Sequence, residues 1–115
     1  MMWTIIVNDA PYGNEKTWNA FRLASTARSE GVDVRLFLMG DSVASAKTGQ
    51  KTPDGFYNME KMLAAMLSKG VEVKACGTCI NARGLDISDL VEGVKRGSMK
   101  ILVEWIRDSD RVISF

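Results

Sequence analysis

The amino-acid sequence predicts an α/β fold, a three-layer α/β/α sandwich around a mostly parallel sheet of about five strands. Three observations carry this expectation. Short apolar or alternating runs recur along the chain. Stretches with apolar residues at helical spacing separate them. Those stretches are long enough to return the chain to a parallel neighbour. The 115 residues fit one domain, residues 1–115, able to bury roughly two thirds of its unfolded surface.

Trp3 to Val7, W-T-I-I-V, is a continuous apolar run of the kind found in a strand covered on both faces. A loop signal, Ala10-Pro11-Tyr12-Gly13, follows it, and Asn14 is placed to cap a helix. From Thr17 to Ala27 the stripe Ala20, Phe21, Leu23, Ala24 and Ala27 marks that helix, which Gly31 ends; Trp18 lies to one side of the stripe. Val32 to Met39 is the second strand, completing a β-α-β unit. Ser42 to Phe56 is long and polar and is expected to be a lid or partner-binding loop. Tyr57 to Lys69 is a helix with Met59, Met62, Leu63, Met66 and Leu67 on one face, a stripe that fits core packing better than an adaptable groove. Val71 to Ala75 alternates as a third strand. A short helix is expected over Asp86–Val91 and a weak strand or turn at Val94. Ser98 should cap a helix to about Asp108, and Arg111–Phe115 is the last strand.

Composition narrows the function. The formal net charge is +1, from 15 basic and 14 acidic residues without a basic run, so no nucleic-acid partner is expected. No apolar run is long enough to span a bilayer and no signal peptide is evident, which predicts a cytoplasmic protein without a membrane partner. Histidine is absent, which excludes Cys-His and Ser-His catalysis and imidazole-bearing zinc sites within the chain. No cofactor and no metal site are expected.

The two cysteines stand in C-G-T-C, Cys76 and Cys79, at the end of the third strand. In a parallel sheet all carboxyl ends share one edge, where open α/β folds do chemistry. Asn8, Asp9, Asp41 and Cys76 are therefore expected to converge there. A thiol among free backbone N–H groups and beside cations ionises more easily. Gly77, Thr78 and Cys79 supply such groups, with Lys74 and Arg83 as the expected cations. A thioredoxin-like site fits poorly, because the motif follows the third strand and both prolines, Pro11 and Pro53, lie upstream. Lys16-Thr17 superficially suggests a phosphate-binding loop, but Ala10 and Glu15 stand where that motif needs glycine. Asp9 and Asp41 read better as turn formers than as an acid pair or magnesium site.

In the last helix Met99, Leu102, Val103 and Ile106 form the stripe expected to face the sheet, leaving Ile101 and Trp105 on the opposite side. A second apolar face, with Trp18 also off its own stripe, predicts a homo-oligomer.

The landmarks N-D-A-P-Y-G-N-E-K-T-W-N-A, L-M-G-D, G-F-Y-N and C-G-T-C-I-N-A-R-G, with Ser114-Phe115 closing the last strand, resemble the DsrE-like family of sulfur-relay proteins over essentially the whole chain. Sulfur-carrying members have a cysteine followed, after six residues, by Arg-Gly, which matches Cys76 with Arg83-Gly84. The resemblance, to the C-x-x-C-containing branch, implies a flavodoxin-like fold, trimers or hexamers, and a persulfide carried on Cys76. Partners would be sulfur donor and acceptor proteins or small thiols. The sulfurtransferase expectation is that Cys76 holds the sulfane sulfur and Cys79 resolves it. The alternatives are a thiol–disulfide or redox-sensing protein using the same pair, and a non-catalytic ligand- or metal-binding oligomer.

Overall fold

The computed structural model describes residues 1–115. Its strands are β1 (Met2–Val7), β2 (Asp33–Leu38), β3 (Glu72–Cys76), β4 (Lys95–Gly97) and β5 (Arg111–Ser114). Its helices are α1 (Lys16–Ser29), α2 (Met59–Ser68), α3 (Gly77–Ala82) and α4 (Met99–Asp108). Every strand pairing is parallel, in the order β4-β3-β2-β1-β5. The expected α/β sheet is therefore present and wholly parallel.

Side-chain caps begin α2 and α4, whereas α1 has Glu15 rather than the expected Asn14 at its N-cap and no side-chain capping bond there. Asn14 Oδ1 accepts the Lys16 N–H at 3.0 Å, and the Thr17 hydroxyl donates to the Asp9 carbonyl at 2.7 Å, so the β1–α1 turn is tied at both ends. Asn58 accepts the Lys61 N–H at 3.1 Å, which starts α2 at Met59 rather than Tyr57. Ser98 caps α4 as expected, accepting the Ile101 N–H at 3.2 Å.

The two faces of the sheet are covered unequally. On one face α1, α2 and α3 bury a large core that includes Ile5, Phe21, Leu36, Leu63, Val73 and Ile80. On the other, α4 alone packs against a small core of Phe37, Cys76, Leu102 and Trp105. The Trp105 ring meets Phe37 edge-on, with centroids 5.8 Å apart and an interplanar angle of 87°.

This reverses the expected orientation of α4. Trp105 is 6% exposed and Leu102 also faces the sheet, whereas Met99, Val103 and Ile106 are 57%, 51% and 41% exposed. Leu102 belongs to both apolar stripes, so periodicity cannot choose between them; the larger indole takes the sheet. Trp18 is also covered by its own chain, stacked on Tyr57 at 5.0 Å with the Arg22 guanidinium 4.6 Å from its ring.

The connection after β2 differs from expectation too. Gly40–Ala46 is a 3-10 helix in which Ser42, Val43, Ser45 and Ala46 are buried. The Ser42 hydroxyl lies 2.8 Å from the Val7 carbonyl and 2.7 Å from that of Met39, which fastens the segment across the ends of β1 and β2. Residues 47–58 are pinned by Gln50 and Tyr12, the latter accepting the Met59 N–H at 3.0 Å. Asp86–Val91 contains only the 3-10 turn Ile87–Asp89, closed by a reciprocal capping box between Asp86 and Asp89.

Gly97 is where β4 passes the small core. A Cβ there would lie 2.7 Å from the buried Phe37 ring and 3.3 Å from Lys74 Cβ. Because the ring is enclosed, Gly97→Ala is expected to destabilise the fold by about 1–3 kcal/mol through overpacking. Chemical denaturation of the variant checks this.

Candidate thiol site

Cys76 ends β3 and is the N-cap of α3. Its Sγ takes the place of a capping oxygen and accepts the Cys79 N–H at 3.3 Å. The C-x-x-C spacing is thus an N-cap to third-residue spacing, in which the first side chain meets the backbone of the second cysteine. Cys79 is half-buried and its own Sγ accepts the Gly40 N–H at 3.2 Å. Both cysteines are free thiols.

Both thiols line a cleft of about 590 Å³ whose other residues are Gly77, Thr78, Asn81, Arg96, Gly97, Ser98 and Met99. Its position follows from topology. The connection leaving β3 packs on the α1 and α2 face, and the one leaving β4 packs on the opposite face. Adjacent parallel strands whose connections part in this way leave a crevice beyond their carboxyl ends.

The expected site residues divide. Cys76, Gly77, Thr78 and Cys79 are together in the cleft. Arg83 turns away from it. Its Nε and Nη2 both donate to Asp41 Oδ1, at 3.1 and 2.7 Å, and its Nη1 donates to the Cys79 carbonyl at 3.1 Å. Arg83 and Asp41 therefore clamp α3 to the segment after β2. Lys74 extends on the sheet's second face, with Nζ 5.9 Å from the Trp105 ring centroid. Asn8 donates its amide to the Phe115 carbonyl at 2.9 Å. Asp9 serves the start of α1, with Asn14 at 3.3 Å and Lys16 at 3.7 Å. These last two lie at the expected edge but not in the thiol cleft.

The expectation that nearby cations lower the Cys76 pKa is corrected by this arrangement. Burial, chiefly, and the Cys79 side chain push the Cys76 thiol up, against the backbone N–H groups of Cys79 and Thr78, which favour the thiolate.

Arg96, Asn81 and Ser98 were not foreseen as site residues. Arg96 donates from Nη2 to Asn81 Oδ1 at 2.7 Å and to the Gly77 carbonyl at 3.3 Å. A side chain at position 77 would put its Cβ 2.9 Å from Arg96 Nε, so glycine there makes room for the guanidinium. The sequence signal was R-G-S at a strand end, but it has meaning only once β4 is known to lie beside β3.

A profile of the DsrE/DsrF-like family matches residues 1–115. The chain belongs to that family. Among curated proteins, this DsrE/DsrF-like chain is 45% identical over 112 residues to the uncharacterised protein MK0008 of Methanopyrus kandleri, covering 97% of this chain and 92% of that one. It is 40% identical over 113 residues to Protein YchN of Escherichia coli, covering 96% of each. The crystal structure of YchN superposes with a TM-score of 0.93 at 39% identity, over 99% of this chain and 98% of that one. A protein of unknown function from Methanobacterium thermoautotrophicum, MTH1491, shares the fold at a TM-score of 0.73 and 20% identity, over 99% of this chain and 97% of that one.

The raised Cys76 pKa sets the sign of two pH effects in this DsrE/DsrF-like protein. Alkylation of Cys76, followed by peptide mass, is expected to keep accelerating above the usual thiol value of about 8.5 rather than level off there. The folded state also holds the Cys76 proton more tightly than the unfolded chain. Its contribution to stability is therefore complete below the unfolded pKa and is lost as pH rises towards the folded one. Cys76→Ser should flatten that alkaline slope in denaturation measured against pH.

Proposed function

We propose that this protein carries sulfane sulfur as a persulfide on Cys76. The observation that supports this reading best is the Cys76 sulfur at an N-cap, accepting a backbone N–H at the floor of an open cleft. A thiol so placed is protonated and quiet at rest, yet an anion formed on it meets an N–H donor already in position. The Cys76 thiolate attacks the outer sulfur of a donor persulfide. The donor S–S bond breaks, a new S–S bond forms on Cys76, and the donor leaves as a thiolate. An acceptor thiolate then takes the outer sulfur and Cys76 leaves as a thiolate; alternatively Cys79 attacks the inner sulfur of the loaded persulfide, forming the Cys76–Cys79 disulfide and releasing hydrosulfide.

A thiol–disulfide function is the second reading, favoured by the two free thiols at N-cap and third-residue positions of one helix. Intact mass after incubation with polysulfide separates the two. A gain of one sulfur atom per chain, in wild type or in Cys79→Ser where the persulfide cannot be resolved, supports the carrier; a loss of two hydrogens in wild type with no sulfur gain in Cys79→Ser supports the redox pair. Cys76→Ser is expected to abolish loading, and Cys79→Ser to retain it with a longer-lived persulfide. Equal loss of loading in both variants overturns this division of labour. A metal-binding reading would draw ligands from more than one chain, since nowhere do three Cys, Asp or Glu side chains gather.

We also propose self-association through the outer face of α4, where Met99, Val103 and Ile106 are exposed. Met99 belongs to both that face and the thiol cleft, so a second copy seated there would border the site. Val103→Glu is expected to shift the protein towards monomer in sedimentation, because association would force the charge into an apolar contact. Trp105 is unsuited to this test, since it is packed in the chain's own core. A wild-type protein that sediments as a monomer overturns the proposal.

A further inference from the structure

We infer that Arg96 is the anion-holding residue of the thiol cleft, and that the cleft selects anionic sulfane-sulfur donors over neutral ones. The substrate class rests on the sulfur-carrier reading; the anion preference does not. Arg83, the cation that follows the motif in sequence, is paired with Asp41 at 2.7 Å. Arg96 forms no ion pair. No carboxylate is among the residues that line the cleft, so its guanidinium charge is not compensated there.

Its placement is built rather than incidental. Two neutral acceptors, the Gly77 carbonyl and Asn81 Oδ1, hold Nη2, while Nε and Nη1 donate to no protein atom. Both acceptors lie on α3, the helix that Cys76 caps, so the charge is fixed relative to the reacting sulfur. The missing side chain at Gly77 lets the guanidinium lie against the turn between the two cysteines. A guanidinium with free N–H groups matches a carboxylate or another small anion better than a neutral disulfide.

In the transfer step the Cys76 thiolate attacks the sulfane sulfur and the donor S–S bond breaks. Its electron pair departs on a leaving group that carries negative charge. Sulfur oxidation states are exchanged between donor and Cys76, so no further oxidant or reductant is needed. Arg96 holds that charge on the donor before the step and on the leaving group after it, and so acts as a positioning residue. A carboxylate-bearing thiol such as glutathione, as its persulfide, and inorganic polysulfide both present the required charge.

The test compares an anionic with a neutral probe of the same chemistry. Iodoacetate and iodoacetamide alkylate thiols alike but differ in charge, and peptide mass resolves Cys76 from Cys79. In wild type the iodoacetate to iodoacetamide rate ratio is expected to fall as salt is raised, since a cleft charge is screened. Arg96→Gln should lower that ratio by about tenfold at low salt, and Arg96→Lys should restore most of it. A local distortion of α3 would change both rates together and leave the ratio where it was.

Sulfur transfer to Cys76 is then measured by mass with glutathione persulfide, inorganic polysulfide and neutral dimethyl trisulfide, the last read as its methyl-capped adduct with methanethiolate or methyl persulfide leaving. Arg96→Gln is expected to slow the two anionic donors selectively. Loss with only one of them identifies which source the cleft is built for. An unchanged alkylation ratio in Arg96→Gln overturns the assignment of Arg96. If that variant fails to fold, a wild-type ratio insensitive to salt overturns it equally. If the ratio behaves as expected but no donor loads wild type, the anion site stands and the sulfur-carrier reading falls.

Discussion

Strands that lie parallel in one sheet are joined by right-handed crossovers, and this constraint decides where everything else can sit. From β1 to β4 the chain advances in one direction across the sheet, so its connections stack on one face. After β4 it must return past β3, β2 and β1 to place β5 at the far side. A right-handed return in the opposite direction puts α4 on the opposite face. The ten residues of α4 rise about 15 Å, and this one helix is all that packs on that face. The same reversal parts the connections of β3 and β4, and the thiol cleft is the space between them.

Around that cleft, charge is arranged by pairing as much as by placement. Arg83 and Asp41 satisfy each other and join α3 to the segment after β2. Gly40, at the start of the same segment, donates its N–H to the Cys79 sulfur. The motif is therefore held on one side by backbone and an ion pair, and on the other by Arg96 through Asn81 and the Gly77 carbonyl. Burial opposes ionisation of Cys76, while N–H donors await the anion. With histidine absent from the chain, this balance rests on burial, the neighbouring thiol and backbone groups rather than on an imidazole.

β1 to β3 and the long helices were legible because each carries an apolar pattern. Trp3–Val7 and the stripe from Ala20 to Ala27 are of this kind, and the cap at Ser98 was legible too. β4 (Lys95–Gly97) has no such pattern, and only a weak strand or turn at Val94, just before it, was expected. The thiol pair was legible because two cysteines three residues apart at a strand end have few other uses. Other features were not legible, for definite reasons. In α4 two stripes share Leu102, and only the presence of Phe37 opposite shows why Trp105 wins. The buried Ser42 and Ser45 read as polar loop residues until the carbonyls of Val7 and Met39 are seen to receive the first of them. Arg83 follows Cys79 by four residues in sequence, but its partner Asp41 lies 42 residues away. Arg96 depends on β4 pairing with β3, a fact of strand order that no local pattern encodes.

The place of β1 has a consequence for how the protein folds. β1 lies between β2 and β5, and its contacts with the latter close loops of more than a hundred residues. The Met2 N–H meets the Asp110 carboxylate across 108 residues, and Phe115 donates its N–H to the Ile6 carbonyl at 2.8 Å. Until β5 docks, one side of the apolar W-T-I-I-V run presents unpaired N–H and C=O groups. Such an edge is a template for pairing with another chain. Closing so long a loop is entropically unfavourable and slow, so the interval before docking is when this sequence is most exposed to aggregation. Polar side chains Arg111 and Ser114 at the ends of β5 then make the finished edge less inviting than the one it covers.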